Sequence, residues 1–306
     1  MAEPTPLILD VDTGVDDALA IGLAVSRTDT DLIAVSTLAG NIDVVNATEN
    51  TRRVLGLIGA SDVPVYQGAS RPLARLHRNA AHYHGRNGLG DAVLPEVGFP
   101  LGEYRGPAAI IRLARQRPGE IVLVATGPLT NVAIALNVFP ELPSLLKRFV
   151  VMGGSYRNPG NITPHAEFNI WADPEAAQQV FATDFPDAIA VGLDVSLQTV
   201  LLKRAWEEAN GPSHALAQLL SAVCRRSFVD RAQADFPLHD PLATAVALDP
   251  TLVATERGVI DVVTSGVRDG KTVFTANASG SWQVALAVDS GRFVSEFLAS
   301  YQLGAQ

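Results

Sequence analysis

The sequence predicts an α/β fold: a mostly parallel, open, Rossmann-like sheet with a small β excursion near its C-terminal end. Three observations predict it. Short runs of β-forming apolar residues alternate with stretches of helical periodicity along most of the chain, the pattern of a parallel sheet covered by helices. The first such run, Leu7-Ile8-Leu9-Asp10-Val11-Asp12, turns at Gly14 and opens straight into the helical pattern that starts at Asp16, as the first βα turn of such sheets does. The apolar share is 47% of 306 residues, enough for a large core, and no composition shift marks a linker. Residues 1–306 are therefore read as one domain.

The elements follow in order. Residues 5–12 read as a buried strand and 16–27 as the helix after it. Leu32 to Leu38 is a second strand ending at Gly40-Asn41, Val44 to Ile58 a helix, and Val63-Pro64-Val65 a short third strand. Residues 68–105 break the alternation with His77, His82, His84 and several arginines, and so long a connection is functional or disordered. Alternation resumes with a helix near 106–116, a strand from Ile121 to Thr126, a helix from about 129 and a strand from Phe149 to Met152. A polar loop over 155–173 leads to a helix with Asp173 as N-cap and Pro174 at its first position. Ala188 to Val195 reads as a strand, and 203–231 as largely helical with an interruption at Gly211-Pro212. Asp240 is placed as an N-cap, and strands at 259–263, 272–274 and 283–288 form the C-terminal β excursion, around a turn at Asp269-Gly270. Residues 291–303 close the chain as a helix.

Composition narrows the function. The net charge of −9 comes without a basic stripe, which argues against a nucleic-acid partner. The single cysteine, Cys224, excludes an internal disulfide framework and a cysteine-based zinc site, and it reads as buried and inert. The N-terminus lacks a basic region before its short apolar run, and no stretch reaches the roughly 18 apolar residues of a membrane span. A cytoplasmic location without a membrane partner is expected.

The chemistry concentrates at predicted strand ends. Asp10, Asp12, Asp16 and Asp17 fall within the first turn, where packed carboxylates raise one another's pKa unless something positive sits among them. Helix capping accounts for Asp16 and Asp17 but not for Asp10 and Asp12 at the end of an apolar strand. A hard divalent cation accounts for all of them, because Ca²⁺ and Mg²⁺ take oxygen ligands. The loops at 39–41, 126–128 and 153–169, with His239-Asp240 later in the chain, can converge on the same crevice. A metal held by the first turn, Asp240 and a carbonyl such as that of Thr126 would leave Asn41, Asn161, Glu167 and Asn169 to face a polyhydroxylated ligand. Arg and Lys are sparse in these loops, which favours a sugar over a phosphate ester.

These residues match a known pattern. Asp10-Val11-Asp12-Thr13-Gly14-Val15-Asp16-Asp17-Ala18 resembles the N-terminal signature of the calcium-dependent nucleoside hydrolases. Further blocks follow in order through most of the chain: Gly40-Asn41, His84-Gly85 with Gly88-Leu89-Gly90, Thr126 to Asn131, Val151 to Gly154, Asn161 to Pro174, and His239-Asp240-Pro241-Leu242-Ala243. The resemblance implies hydrolysis of a ribonucleoside to ribose and free base, in a homodimer or homotetramer. It implies that Asp12, Asp17, the Thr126 carbonyl and Asp240 hold Ca²⁺, and that Asp12 also takes a proton from the attacking water. Asp16 and Asn169 would grip the ribose hydroxyls, Asn161 and Glu167 the 5′-hydroxyl, with Asn41 and Met152 in the same pocket. His239 is the candidate acid for the leaving base and His84 a second base contact, for which His82 can substitute.

Other residues stay open. Phe168 either stacks on the base or packs under its loop; Arg231 and Gln233 either read base edges or form helix surface. Phe228 and Phe236 read as core, His77 and His214 as surface, and His165 carries no assigned role. The 225–236 stretch lacks the tyrosine that family members often carry there, which leaves base preference undecided. Two other readings compete: a Mg²⁺-dependent phosphatase, suggested by Asp10-Val11-Asp12-Thr13, and a nucleoside-binding protein without turnover.

Overall fold

The computed structural model describes residues 3–209 and 214–302. Eleven strands are present among them: β1 Thr5–Val11, β2 Thr30–Thr37, β3 Val65–Gln67, β4 Val122–Ala125, β5 Arg148–Met152, β6 Ala188–Val191, β7 Val200–Leu202, β8 Asp235–Pro237, β9 Val253–Val262, β10 Thr272–Ala276 and β11 Trp282–Val288. Nine form one sheet in the order β10-β9-β11-β6-β5-β4-β1-β2-β3, and β7 and β8 pair separately and antiparallel. From β3 to β6, and on to β11, every neighbouring pair is parallel.

Both faces of the sheet are apolar, which is why its strands read as unbroken hydrophobic runs. In β1, Leu7, Leu9 and Val11 join one core with Val122, Val124 and Val150, while Ile8 joins the other with Leu123, Ala125 and Val151. The helix Val15–Ser26 is buried along most of its length because other helices, 215–225, 239–248 and 290–300, close over it. The Tyr301 hydroxyl donates to the Leu19 carbonyl at 2.7 Å, and its oxygen occupies the space that a Cβ on Gly22 would need.

The strand order places the site. The chain runs outward from β1 through β2 to β3, returns to β4 on the other side of β1, and continues to β6. The crevice between the C-terminal ends of β1 and β4 is the topological switch point, where open α/β sheets bind ligands.

The structure corrects several expectations. The strand predicted over Ala188–Val195 ends at Val191; Gly192 then starts a short helix, Leu193–Ser196, which apolar content alone could not tell from strand. The third strand starts at Val65, after Pro64 rather than through it, since proline lacks the N–H that a ladder needs. Asp240 is not an N-cap: the helix is His239–Leu248, Leu238 precedes it, and Asp240 lies in its first turn. The C-terminal excursion is an extension of the main sheet, because β11 pairs parallel with β6 and carries β9 and β10 antiparallel beyond it. The final helix is Ser290–Ser300, shorter than read. Asp173 does cap its helix, accepting from the Ala176 N–H at 3.1 Å. The interruption expected at Gly211-Pro212 lies outside the described residues.

Candidate active site

The acid cluster is built by the first turn. The Asp17 carboxylate accepts the Gly14 N–H at 2.8 Å, a capping contact, and the Thr126 hydroxyl at 2.7 Å, which ties the end of β1 to the end of β4. Asp12 accepts both the backbone N–H and the side-chain amide of Asn41, at 2.5 and 3.1 Å. A Cβ on Gly40 would fall against that carboxylate, so the close approach requires glycine. Asp10 lies on the Ile8 face of β1, where the Asn131 amide donates to it at 2.8 Å and also to Ser36 Oγ and the Thr37 carbonyl, each at 3.0 Å.

Asp240 arrives from the helix that covers the first one. One oxygen each from Asp16, Asp17 and Asp240 lies within 4.8 Å of the others, and all three residues are buried. Burial raises the carboxyl pKa of Asp10 to about 7 and that of Asp16 to about 8, with the charge of Asp17 adding to the rise at Asp16. Asp12, Asp17 and Asp240 are raised for the same first reason, burial. Asp16 Oδ1 and Asp10 Oδ2 find no hydrogen-bond partner among the described residues. An all-oxygen donor set, buried and beside a cavity without Arg or Lys in its lining, fits a hard metal ion, and Asp16, Asp17 and Asp240 could hold one; Asp12, expected as a ligand, is not one of the three that meet.

Beside the cluster lies a cavity of about 340 Å³. Asp16, Asn41, Thr126, Met152, Asn161, Glu167, Phe168, Asn169, His84, His239 and Asp240 line it, so these predicted residues are brought together. Neither Arg nor Lys is among its lining residues. Asp12 and Asp17 are not in that lining; they sit beneath it as the buried base of the site, at 0% exposure. Asn169 donates from its amide to the carbonyls of Thr126, at 2.6 Å, and Met152, at 3.1 Å. Glu167 accepts the N–H groups of Gly154, Asn169 and Ile170 at 3.0, 2.9 and 3.2 Å, so it caps the helix Phe168–Ala172; burial nonetheless raises it to about 7. Asn161 accepts from the Phe168 N–H at 3.0 Å, and Phe168 both lines the cavity and packs obliquely on Trp171, 6.3 Å between centroids.

The two histidines are held differently. His84 Nδ1 accepts the Val15 N–H at 3.1 Å, so Nε2 carries the proton of the neutral ring, and burial lowers its pKa to about 3. His239 Nδ1 meets the Ser196 hydroxyl at 2.8 Å, and burial lowers this pKa to about 4.

Comparison with known proteins agrees with the geometry. The profile of the family described as inosine-uridine preferring nucleoside hydrolase matches residues 7–295. The chain is 36% identical to the inosine-uridine preferring nucleoside hydrolase of Leishmania major, over 95% of each chain. This chain belongs to the nucleoside hydrolase family. It is accordingly an N-ribosyl hydrolase. It is also 39% identical to the pyrimidine-specific ribonucleoside hydrolase RihA of Salmonella arizonae, over 85% of each. Among solved structures, the plant nucleoside hydrolase PpNRh1 superposes with a TM-score of 0.92 at 30% identity, covering 97% of this chain and 99% of that one. The purine-preferring ribonucleoside hydrolase from Gardnerella vaginalis gives 0.88 at 33% identity, covering 97% and 98%.

Several residues of this family member were missed or misplaced by sequence reasoning. Ser196 ends the short helix whose first residues were read as strand, and Leu197 follows it; Ser196 holds His239 and Leu197 lines the cavity. Tyr83, Ala80, Ile162, Asp235 and Pro237 also line it; of these, only Tyr83 had a usable signal, its place beside His84. His77 is not simply a surface residue, since its Nε2 meets the Gly40 carbonyl at 2.9 Å. His214 accepts the Ala217 N–H at 3.3 Å as a helix cap. His165 is not among the lining residues; Phe228, Phe236 and Cys224 are buried, as expected. Among the described residues, no helix is long and apolar enough to cross a membrane.

Proposed function

We propose that the chain hydrolyses the N-glycosidic bond of ribonucleosides with the help of Ca²⁺ held by Asp12, Asp17, Asp240 and the Thr126 carbonyl. The observation that carries this reading is the crowd of buried acids beside a cavity that no cation lines: such acids need a divalent ion beneath them and favour a neutral, hydroxyl-rich ligand above. When bound, the ion offsets the carboxylate charge and lowers the pKa of water beside it.

The chain's own residues do the rest. Asp12, fixed by Asn41, takes the proton of the attacking water. Asp16 has an unpartnered oxygen at the cavity wall and accepts from a ribose hydroxyl, with Asn169 as the second grip. Asn161 and Glu167 face the 5′-hydroxyl, and Asn41 and Met152 complete the wall. As the bond breaks, the ribose gains oxocarbenium character, which the surrounding carboxylates stabilise. His239, with Nδ1 held by the Ser196 hydroxyl, gives the leaving base a proton from its imidazolium form, which it must take up against the burial that favours the neutral ring; His84 is the second contact.

The phosphatase reading is not favoured, because a phosphate needs cationic partners and none line this cavity. A homodimer or homotetramer in the cytoplasm fits the family reading. The test is base release from inosine, uridine, cytidine, adenosine and guanosine, with and without chelator, alongside p-nitrophenyl riboside and p-nitrophenyl phosphate. Release from ribosides that stops with chelator supports the reading. Turnover of the phosphate ester alone overturns it.

A further inference from the structure

The relatives differ by name in the bases they prefer, and the acid cluster says nothing about a base. The answer lies in the part of the cavity wall supplied by the short helix Ala81–His84 and by the turn that leads into β8. Arg231 ties these two stretches together. Its guanidinium donates to the His82 carbonyl and lies over the Tyr83 ring, 5.3 Å from the centroid. Phe236 stacks against Tyr83 at 6.4 Å between centroids, and His84 meets the same ring edge-on at 4.9 Å. Tyr83 is thereby a fixed aromatic wall.

Gln233 follows Arg231 by two residues in the turn that leads into β8. A π-helical turn, Arg226–Asp230, ends the preceding helix, and such turns re-aim the chain, often at functional sites. Ala232 then takes a left-handed backbone with φ of 52°, a strained choice for a residue with a Cβ. The Gln233 N–H donates to the Ser227 carbonyl at 3.0 Å and closes the loop. The result places Gln233 in the cavity wall, with its Oε1 buried and without a hydrogen-bond partner among the described residues. A buried amide oxygen loses its water and gains nothing in return unless a ligand donates to it.

We propose that Gln233 is the base-reading residue: its Oε1 accepts a hydrogen bond from an N–H on the nucleobase edge remote from the ribose, beside the Tyr83 wall. The favoured substrates are ribonucleosides whose base carries such a donor, as uracil does at N3 and hypoxanthine at N1. The proposal rests on the reading of the cavity as a ribonucleoside site.

The test uses the full chain with Gln233→Met, which keeps length and removes the carboxamide. Substrates are inosine against purine riboside, uridine against pyrimidin-2-one riboside, and p-nitrophenyl riboside; the second of each pair lacks the edge N–H. Gln233→Met should lower kcat/KM for inosine or uridine by about tenfold or more and leave the N–H-free ribosides within about twofold of wild type. Equal change across each pair, or no change in any, overturns the role of Gln233. A wild type that releases nothing from any riboside, including p-nitrophenyl riboside, overturns the parent reading instead, so the two failures are distinct. The p-nitrophenyl rate of the variant reports its folding.

Discussion

Asp12 and Asp17 look equivalent in the sequence, yet their partners separate them. Asp17 is held by a helix N-terminus and by the Thr126 hydroxyl, so both its oxygens are directed by the scaffold. Asp12 is held by the backbone N–H and the amide of Asn41, an amide that also reaches Asp17 at 3.3 Å, and it carries the proposed base role. Asp12→Ala is expected to lower kcat for inosine or uridine by about 10²–10⁴-fold, the range for losing a positioned base, and to weaken calcium binding measured by calorimetry. Unchanged rate and affinity would contradict the assignment. His239→Ala should slow natural nucleosides by about 10²–10⁴-fold while leaving p-nitrophenyl riboside nearly intact, because a good leaving group needs no proton. Steady-state rates on both substrates decide it, and equal slowing of the two would remove His239 as the acid.

At the scale of elements, the site depends on loops being pinned to strand ends. Asn131, at the start of its helix, donates to Asp10, Ser36 and the Thr37 carbonyl and accepts the Ala69 N–H at 2.9 Å. One side chain therefore joins the ends of β1 and β2 to the loop after β3. Asn131→Ala leaves the buried Asp10 carboxyl without its amide donor, with the Ser36 hydroxyl as remaining side-chain partner, and should cost about 1–3 kcal/mol of stability, read from the urea midpoint at constant slope. A loss below a few tenths of that range would mean water replaces the amide. The long 68–105 connection is organised the same way: the Ala80 N–H donates to the Asn41 carbonyl at 3.0 Å, which sets His84 against the first turn.

For the whole molecule, the buried acids make stability depend on pH in an unusual direction. Asp10 and Asp16 keep their protons to about 7 and about 8 in the folded chain, against 3.8 when unfolded. Glu167 behaves alike, at about 7 against 4.5. Between those limits the folded state binds more protons than the unfolded one, so this contribution to stability is full below about pH 4 and is lost as pH rises to 7–8. The metal-free protein should therefore melt higher at pH 6 than at pH 8. Added Ca²⁺ should raise Tm more at pH 8, where the carboxylates are ionised, than at pH 6. Scanning calorimetry at both values checks this, and a calcium shift that is larger at the lower pH would refute it.

The sheet, its crossover helices and the acidic first turn were legible because each rests on local pattern: apolar runs of strand length, helical periodicity, and a glycine at the bend. The short Leu193–Ser196 helix was not, since Val191, Leu193 and Val195 continue an apolar alternation that strand and helix share, and only the start of a helix at Gly192 separates them. Asp240 as a cap and the C-terminal strands as a side excursion failed for a related reason: where a helix begins and which edge a strand joins depend on neighbours far away in the chain. By itself the sequence determined the fold class and which oxygen-bearing side chains sit at strand ends. Only the tertiary structure decided which of them share a wall. The contacts of Ser196 with His239, Arg231 with Tyr83, and the unpartnered oxygen of Gln233 all arise where distant segments meet, and no local spacing encodes such meetings.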